Sequence, residues 1–170
     1  LSSGRDFVSF KERINVHKEQ IRIAFLGGFG PAYGDNICGV TALKVFVNEM
    51  HKIFDTVLID IYHVQSNKFA GFYKKYGINI RQEPVPLDEF CSYDYYYDIS
   101  ALNSIPDYYH GTIVDKMLWM LSIEATTIPS IAKKNKYHIP DSVYETVKKE
   151  FQKLCDGQKT LYFHSESVQP

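Results

Sequence analysis

Ile21-Arg22-Ile23-Ala24-Phe25-Leu26-Gly27-Gly28-Phe29-Gly30-Pro31-Ala32-Tyr33-Gly34-Asp35-Asn36-Ile37-Cys38-Gly39-Val40-Thr41-Ala42-Leu43 is the stretch that decides the fold. It opens with a near-continuous apolar run closed by glycines, the pattern of a central strand buried on both faces. After the glycine-rich turn, Ile37, Val40, Leu43, Val47, Met50 and Phe54 recur at spacings of three and four, which predicts a helix with one apolar stripe. Asp35 stands where the N-cap of that helix belongs, a role that stabilises a helix by about 1 kcal/mol. Strand, turn and helix in this order bring backbone N–H groups and one carboxylate to the carboxyl edge of a sheet. Open α/β folds bind ligands there.

Downstream, Thr56 to Tyr62 is a second β-rich run reached after a helix, the arrangement of a parallel β-α-β unit. Lys68 to Tyr76, with Gly77 as its stop, predicts a short helix, and Ile78 to Arg81 a third strand. The aromatic run Tyr93 to Ser100 predicts a fourth strand with Asp98 near its carboxyl end, followed by a polar and aromatic loop from Asn103 to His110. Thr112 with Asp115 reads as a capping box for a helix running to about Ala125. Ser142 with Glu145 reads as a second, ahead of the stripe Val143, Val147, Phe151 and Leu154 and a stop at Gly157. Strands alternating with helices predict an α/β, Rossmann-like open and mostly parallel sheet with helices on both faces. Residues 1–20 read as a lead-in helix or linker, 21–157 as the domain, and 158–170 as the start of a second one. The chain begins at Leu1 and stops at Pro170 just after the strand-like Thr160 to His164, so it reads as a piece of a longer protein.

Composition narrows the functional classes. The 170 residues are 45% hydrophobic and 23% charged, enough to bury a core, and 19 basic against 20 acidic residues leave no electrostatic footprint for nucleic acid. Cys38, Cys91 and Cys155 are odd in number and widely spaced, which indicates neither a disulfide framework nor a zinc site and fits a reducing cytoplasm. His51, His63, His110 and His164 lack the spacing of metal ligands. No apolar segment reaches the roughly 20 residues that span a bilayer. The expected place is cytoplasmic, with peripheral contact at the inner face of the membrane left open.

The glycines invite a dinucleotide reading, but Gly28, Gly30 and Gly34 are spaced G-x-G-x-x-x-G, and no acidic residue closes the second strand. No Gly-Lys-Ser or Gly-Lys-Thr follows them, as a phosphate-cradling Walker loop requires.

The Gly34-Asp35 pair, four residues and then Val40-Thr41-Ala42-Leu43 resemble the start of the heptosyltransferase group, glycosyltransferase family 9. Tyr93 to Ser100 is similar to the family's later Tyr-Asp-x-x-x-Asp strand, and Thr160 to Ser167 to the strand and hydroxyl-rich loop that open its second domain. The resemblance covers most of Ile21 to Ser167. Thr41 replaces the family's proline, the turn is slightly longer, and no Lys or Arg ends the first strand. The resemblance implies the N-terminal half of a GT-B enzyme, metal-independent and without a cofactor. Such an enzyme moves a sugar from a nucleotide-sugar donor to a glycan or glycolipid acceptor. Asp35 matches the family's general base. Gly34, Asn36 and Asp98 fall on the acceptor side, and Ser165 and Ser167 match positions near the donor phosphates; the C-terminal donor domain is the missing partner.

Each of these residues also has a plainer role. Asp35 can be a cap, the glycines a tight turn needing positive φ, and Asp98 a strand end. Tyr95, Tyr96, Tyr108 and Tyr109 are candidates for a sugar-stacking platform or for ordinary packing. Two other classes stay open beside the transferase: a nucleotide-binding oxidoreductase domain and a non-catalytic carbohydrate-binding or interaction module.

Overall fold

A computed structural model describes residue 9 and residues 19–99, 111–135 and 141–155 of the chain. Four strands, β1 (Gln20–Leu26), β2 (Thr56–His63), β3 (Asn79–Gln82) and β4 (Tyr95–Asp98), form one sheet in the order β3-β2-β1-β4. All pairings are parallel, with Ile23 beside Ile59 and Tyr95, and Ile61 beside Ile80. The helices are α1 (Tyr33–Met50), α2 (Ser66–Lys74), α3 (Leu87–Phe90), α4 (Ile113–Met120) and α5 (Asp141–Cys155). This is the Rossmann-like α/β fold that the alternation predicts.

One face of the sheet carries Ile21, Ile23, Phe25 and Ile61, and these pack with Val40, Leu43, Phe46 and Met50 of α1, Phe69, Phe72 and Tyr73 of α2, and Val114, Met117 and Leu118 of α4. Phe25 meets Phe46 edge-on at 5.6 Å and stacks on Tyr97 at 5.4 Å. Because α1 packs in the core against the sheet and also meets α4, its buried surface is wider than one stripe and includes Ala42, Val45 and Phe46. The other face carries a smaller cluster of Ala24, Tyr62 and Tyr93. The single turn α3 covers part of it, with Phe90 stacked on Tyr96 at 4.7 Å.

Several boundaries differ from the sequence expectation for identifiable reasons. α1 begins at Tyr33 with Ala32 as an N-cap that offers no side-chain bond, so Asp35 is the third helical residue and not the cap. The Thr112–Asp115 capping box forms in full, yet α4 stops at Met120, because Ser122 takes the left-handed conformation at φ 60°. α2 starts at Ser66 and closes through Gly77, whose φ is 68°. Asp94 stays outside β4 but continues its pairing, since its N–H donates to the Arg22 carbonyl at 2.8 Å while its carboxylate accepts the Arg22 N–H at 2.9 Å. The chain forms two compact units, Leu1–Lys136 and Tyr137–Pro170. α5 belongs to the second and is described by itself; Ser142 lies inside its first turn, its carbonyl accepting from the Thr146 hydroxyl at 2.8 Å. Gly157, the 157/158 boundary and the strand expected at 160–164 lie outside the described residues.

The glycine in the middle of α1 is a packing device. A Cβ at Gly39 would fall 2.1 Å from Cγ of Phe29, a ring that is 2% exposed. Gly39→Ala is therefore expected to destabilise by roughly 1–3 kcal/mol through overpacking. That opposes the gain of about 1 kcal/mol that alanine usually brings to a helix interior. Urea unfolding midpoints read the sign directly.

Candidate functional site

The carboxyl ends of the four strands are Leu26, His63, Gln82 and Asp98. The chain leaves β1 toward β2 on one side, while β4 pairs on the other, so the edge above β1 is the topological switch point where such sheets bind ligands. Residues 27–32 turn over that edge and deliver the chain into α1.

The turn is held from three sides. Gly28 lies on the ring of His63, the last residue of β2, at φ 64°. His63 is 2% exposed, its Nδ1 accepts the Gln65 N–H at 2.8 Å and its Nε2 lies 3.1 Å from the Gly30 carbonyl oxygen. The backbone donor at Nδ1 fixes the tautomer, leaving the proton on Nε2 to be donated to Gly30. Asn36, fully buried, donates from Nδ2 to the carbonyls of Gly30 at 2.9 Å and Ala32 at 2.7 Å. The Tyr73 hydroxyl donates to Asn36 Oδ1 at 2.5 Å. Burial pushes the Tyr73 hydroxyl well above the usual tyrosine range, so it remains a donor. On the third side, Gly27 N–H donates to Glu83 Oε1 at 2.7 Å.

Asp35 is half-buried in the first turn of α1, and its carboxylate rests over Gly30, where a Cβ would stand 2.9 Å from Oδ2. Among the described residues nothing donates a hydrogen bond to this carboxylate. Gly34 is exposed with open space above it. Asp98 is exposed and sits beside Leu26 in register, next to the start of the turn. The structure thus brings Gly34, Asp35 and Asp98 to one edge. Asn36, expected on the acceptor side, is instead interior, its amide consumed by the turn. Ser165, Ser167, Tyr108 and Tyr109 lie outside the described residues. Tyr95 and Tyr96 do not share a platform, because neighbouring strand residues point to opposite faces: Tyr95 packs beside Tyr97 and Tyr96 against Phe90. Among the described residues no three His, Cys, Asp or Glu side chains converge to hold a metal ion.

A concavity lies elsewhere. An open groove of about 990 Å³ runs along the amino ends of the strands, lined by Arg22, Leu58, Asp60, Asn79, Ser92 and Asp94 among others. Its polar groups are engaged with one another. Asp60 accepts from Arg22 at 2.9 Å, Tyr93 at 2.7 Å and Asn79 at 2.5 Å, and Arg22 also donates to Ser92 at 3.0 Å. Arg81 pairs with Glu89, which ties α3 to β3. This network escaped the sequence reading, although Arg22 and Asp60 each interrupt an apolar strand run and were its visible trace. Its groups are satisfied and its position is opposite the switch point, so we read it as a buttress for the β3–β4 crossover.

Burial pushes the Asp60 carboxyl up, but the bonds from Tyr93, Asn79 and Arg22 outweigh it and hold it below the usual range. Asp115 behaves alike, burial being outweighed by Lys133 and Thr112. Carboxyls lowered by folding contribute stability that is present above their unfolded value near pH 4 and lost as pH falls through the folded one. Urea midpoints are expected to be flat from neutral pH down to about 4 and to drop below it. Asp60→Asn should flatten that drop and cost roughly 2–3 kcal/mol at pH 7, less than a fully buried pair because Arg22 keeps 31% of its side chain exposed.

No protein-family model, curated protein or solved structure matches this chain. Among the described residues, no helix is long and apolar enough to cross a membrane.

Proposed function

We propose that the chain is the acceptor-side domain of a GT-B glycosyltransferase, in which Asp35 takes the proton from an acceptor hydroxyl as that oxygen attacks the anomeric carbon of a nucleotide sugar. The observation that carries the reading is the carboxylate itself: at the switch point, partly exposed, with no hydrogen-bond donor among the described residues, in the first turn of an 18-residue helix. A general base needs that freedom to accept a substrate proton. Asp98 and the open Gly34 flank it on the acceptor side. The donor, held by a second domain, loses its nucleoside diphosphate as the sugar is transferred. Cytoplasmic assembly of a polysaccharide or glycolipid at the inner face of the membrane suits such a reaction.

The oxidoreductase reading is weaker because a carboxylate of the chain's own, Glu83, already occupies the Gly27 N–H of the glycine turn. A pyrophosphate would meet that negative charge where the dinucleotide motif offers it backbone donors. The deciding experiment incubates the full-length protein with a panel of UDP-, GDP-, ADP- and CMP-linked sugars and follows nucleotide release with and without glycan or glycolipid acceptors. Acceptor-dependent release supports the proposal. Thermal stabilisation by NAD or NADP and by no sugar nucleotide overturns it in favour of the oxidoreductase. Absence of release with every donor favours the binding module. The 170-residue chain alone should show little turnover, and substantial turnover by it would overturn the two-domain scheme.

A further inference from the structure

We infer that Asn36, Tyr73 and His63 are positioning residues for Asp35, a step that rests on the reading of Asp35 as the base. Three elements converge on one carbonyl. Gly30 O accepts from Asn36 of α1 at 2.9 Å and from His63 of β2 at 3.1 Å, while Tyr73 of α2 fixes the Asn36 amide at 2.5 Å. Gly30 is also the residue on which the Asp35 carboxylate rests, within van der Waals reach of where a Cβ would be.

Burying an amide, a phenol hydroxyl and an imidazole costs free energy unless each is bonded, and here each is. A turn that only reverses direction needs no such investment, since its glycines supply the backbone conformation. What the three side chains add is a fixed floor beneath one carboxylate. Asn36 makes the link short: it follows Asp35 directly in the helix, and its second bond, to the Ala32 carbonyl at 2.7 Å, pins the residue that opens the helix. Rotation of the turn about Gly30 would move the floor on which the Asp35 carboxylate rests. Tyr73 and His63, from α2 and β2, oppose that rotation from outside the loop. The clamp also accounts for the buried position of Asn36, which acts through the residue beside it.

The test compares Tyr73→Phe, Asn36→Ala, His63→Leu and His63→Gln, the last retaining a donor that reaches the Gly30 carbonyl. Two readouts are taken. In the chain labelled with ¹³C-aspartate, the Asp35 carboxyl signal is expected to broaden or split in Tyr73→Phe, Asn36→Ala and His63→Leu and to stay single in His63→Gln. In the full-length protein with its nucleotide-sugar donor, kcat is expected to fall roughly tenfold or more in the first three with KM little changed, and to recover in His63→Gln, because a misplaced catalytic group costs rate before binding. Tyr73→Phe is the mildest change and keeps the test alive if Asn36→Ala does not fold. An unchanged Asp35 signal in folded Tyr73→Phe and His63→Leu overturns the inference, whatever happens to the melting temperature. If the signal responds but Asp35→Asn transfers sugar normally, the clamp stands as the device that orients Asp35 and the base assignment falls.

Discussion

Asp35→Asn in the full-length protein is expected to lower sugar transfer by about 10² to 10⁴-fold, the usual contribution of a positioned general base. Stability should barely move. Asp35 is the third residue of α1 and not its cap, so its share in helix stability is the interaction of a carboxylate with the helix N-terminus, about 0.3–1 kcal/mol where partly exposed. Asparagine has the same shape and preserves the contact with Gly30. The substitution therefore separates chemistry from architecture more cleanly than it would at a true N-cap. Nucleotide release at saturating donor and acceptor gives kcat, and a thermal scan of the same samples gives stability. Transfer at the wild-type rate removes Asp35 from the mechanism, whereas loss of transfer together with a large fall in melting temperature would mean that its role is structural.

The order of strands and helices could be read because each leaves a local trace. Ile21 to Leu26 and Thr56 to Tyr62 are apolar runs of strand length, and the Thr112–Asp115 box marks a helix start that the structure reproduces bond for bond. Asp35 misled as a cap because the helix opens two residues earlier. The Asn36 side chain donates back to the Gly30 and Ala32 carbonyls and closes the turn, so the helix opens at Tyr33 without a capping side chain. His63 carries no local signal at all. Its role depends on β2 pairing with β1 so that Leu26 lies beside Tyr62, which brings the end of β2 under a turn more than thirty residues away. The Arg22–Asp60–Tyr93–Asn79 network needs all four strands in place and could be glimpsed only as charges interrupting apolar runs. Local periodicity thus carries the elements, while the site is assembled by register.

Gly28→Ala is expected to be the most destabilising single change in the turn, roughly 3 kcal/mol or more, although it adds only one methyl group. Two costs combine. At φ 64° an L-residue occupies the left-handed region, which costs about 1–2 kcal/mol. The new Cβ would also lie 1.9 Å from Cδ2 of His63 and 2.8 Å from Cγ. The ring cannot swing aside: both nitrogens are bonded, and its edge packs on Phe69 at 5.2 Å. A double-mutant cycle separates the terms. With His63→Ala the steric cost disappears, so the double variant should be more stable than the sum of the single changes predicts, by roughly 1–2 kcal/mol. What remains is the backbone cost alone. Gly34→Ala is the internal control, since a Cβ there meets nothing within 4 Å and lies in the first turn of a helix; it should be neutral or stabilise by up to about 1 kcal/mol. Urea unfolding of the four variants decides the matter. Additive costs for Gly28→Ala and His63→Ala would show that the ring does not bear on the turn, and the clamp on Gly30 would lose its footing with it.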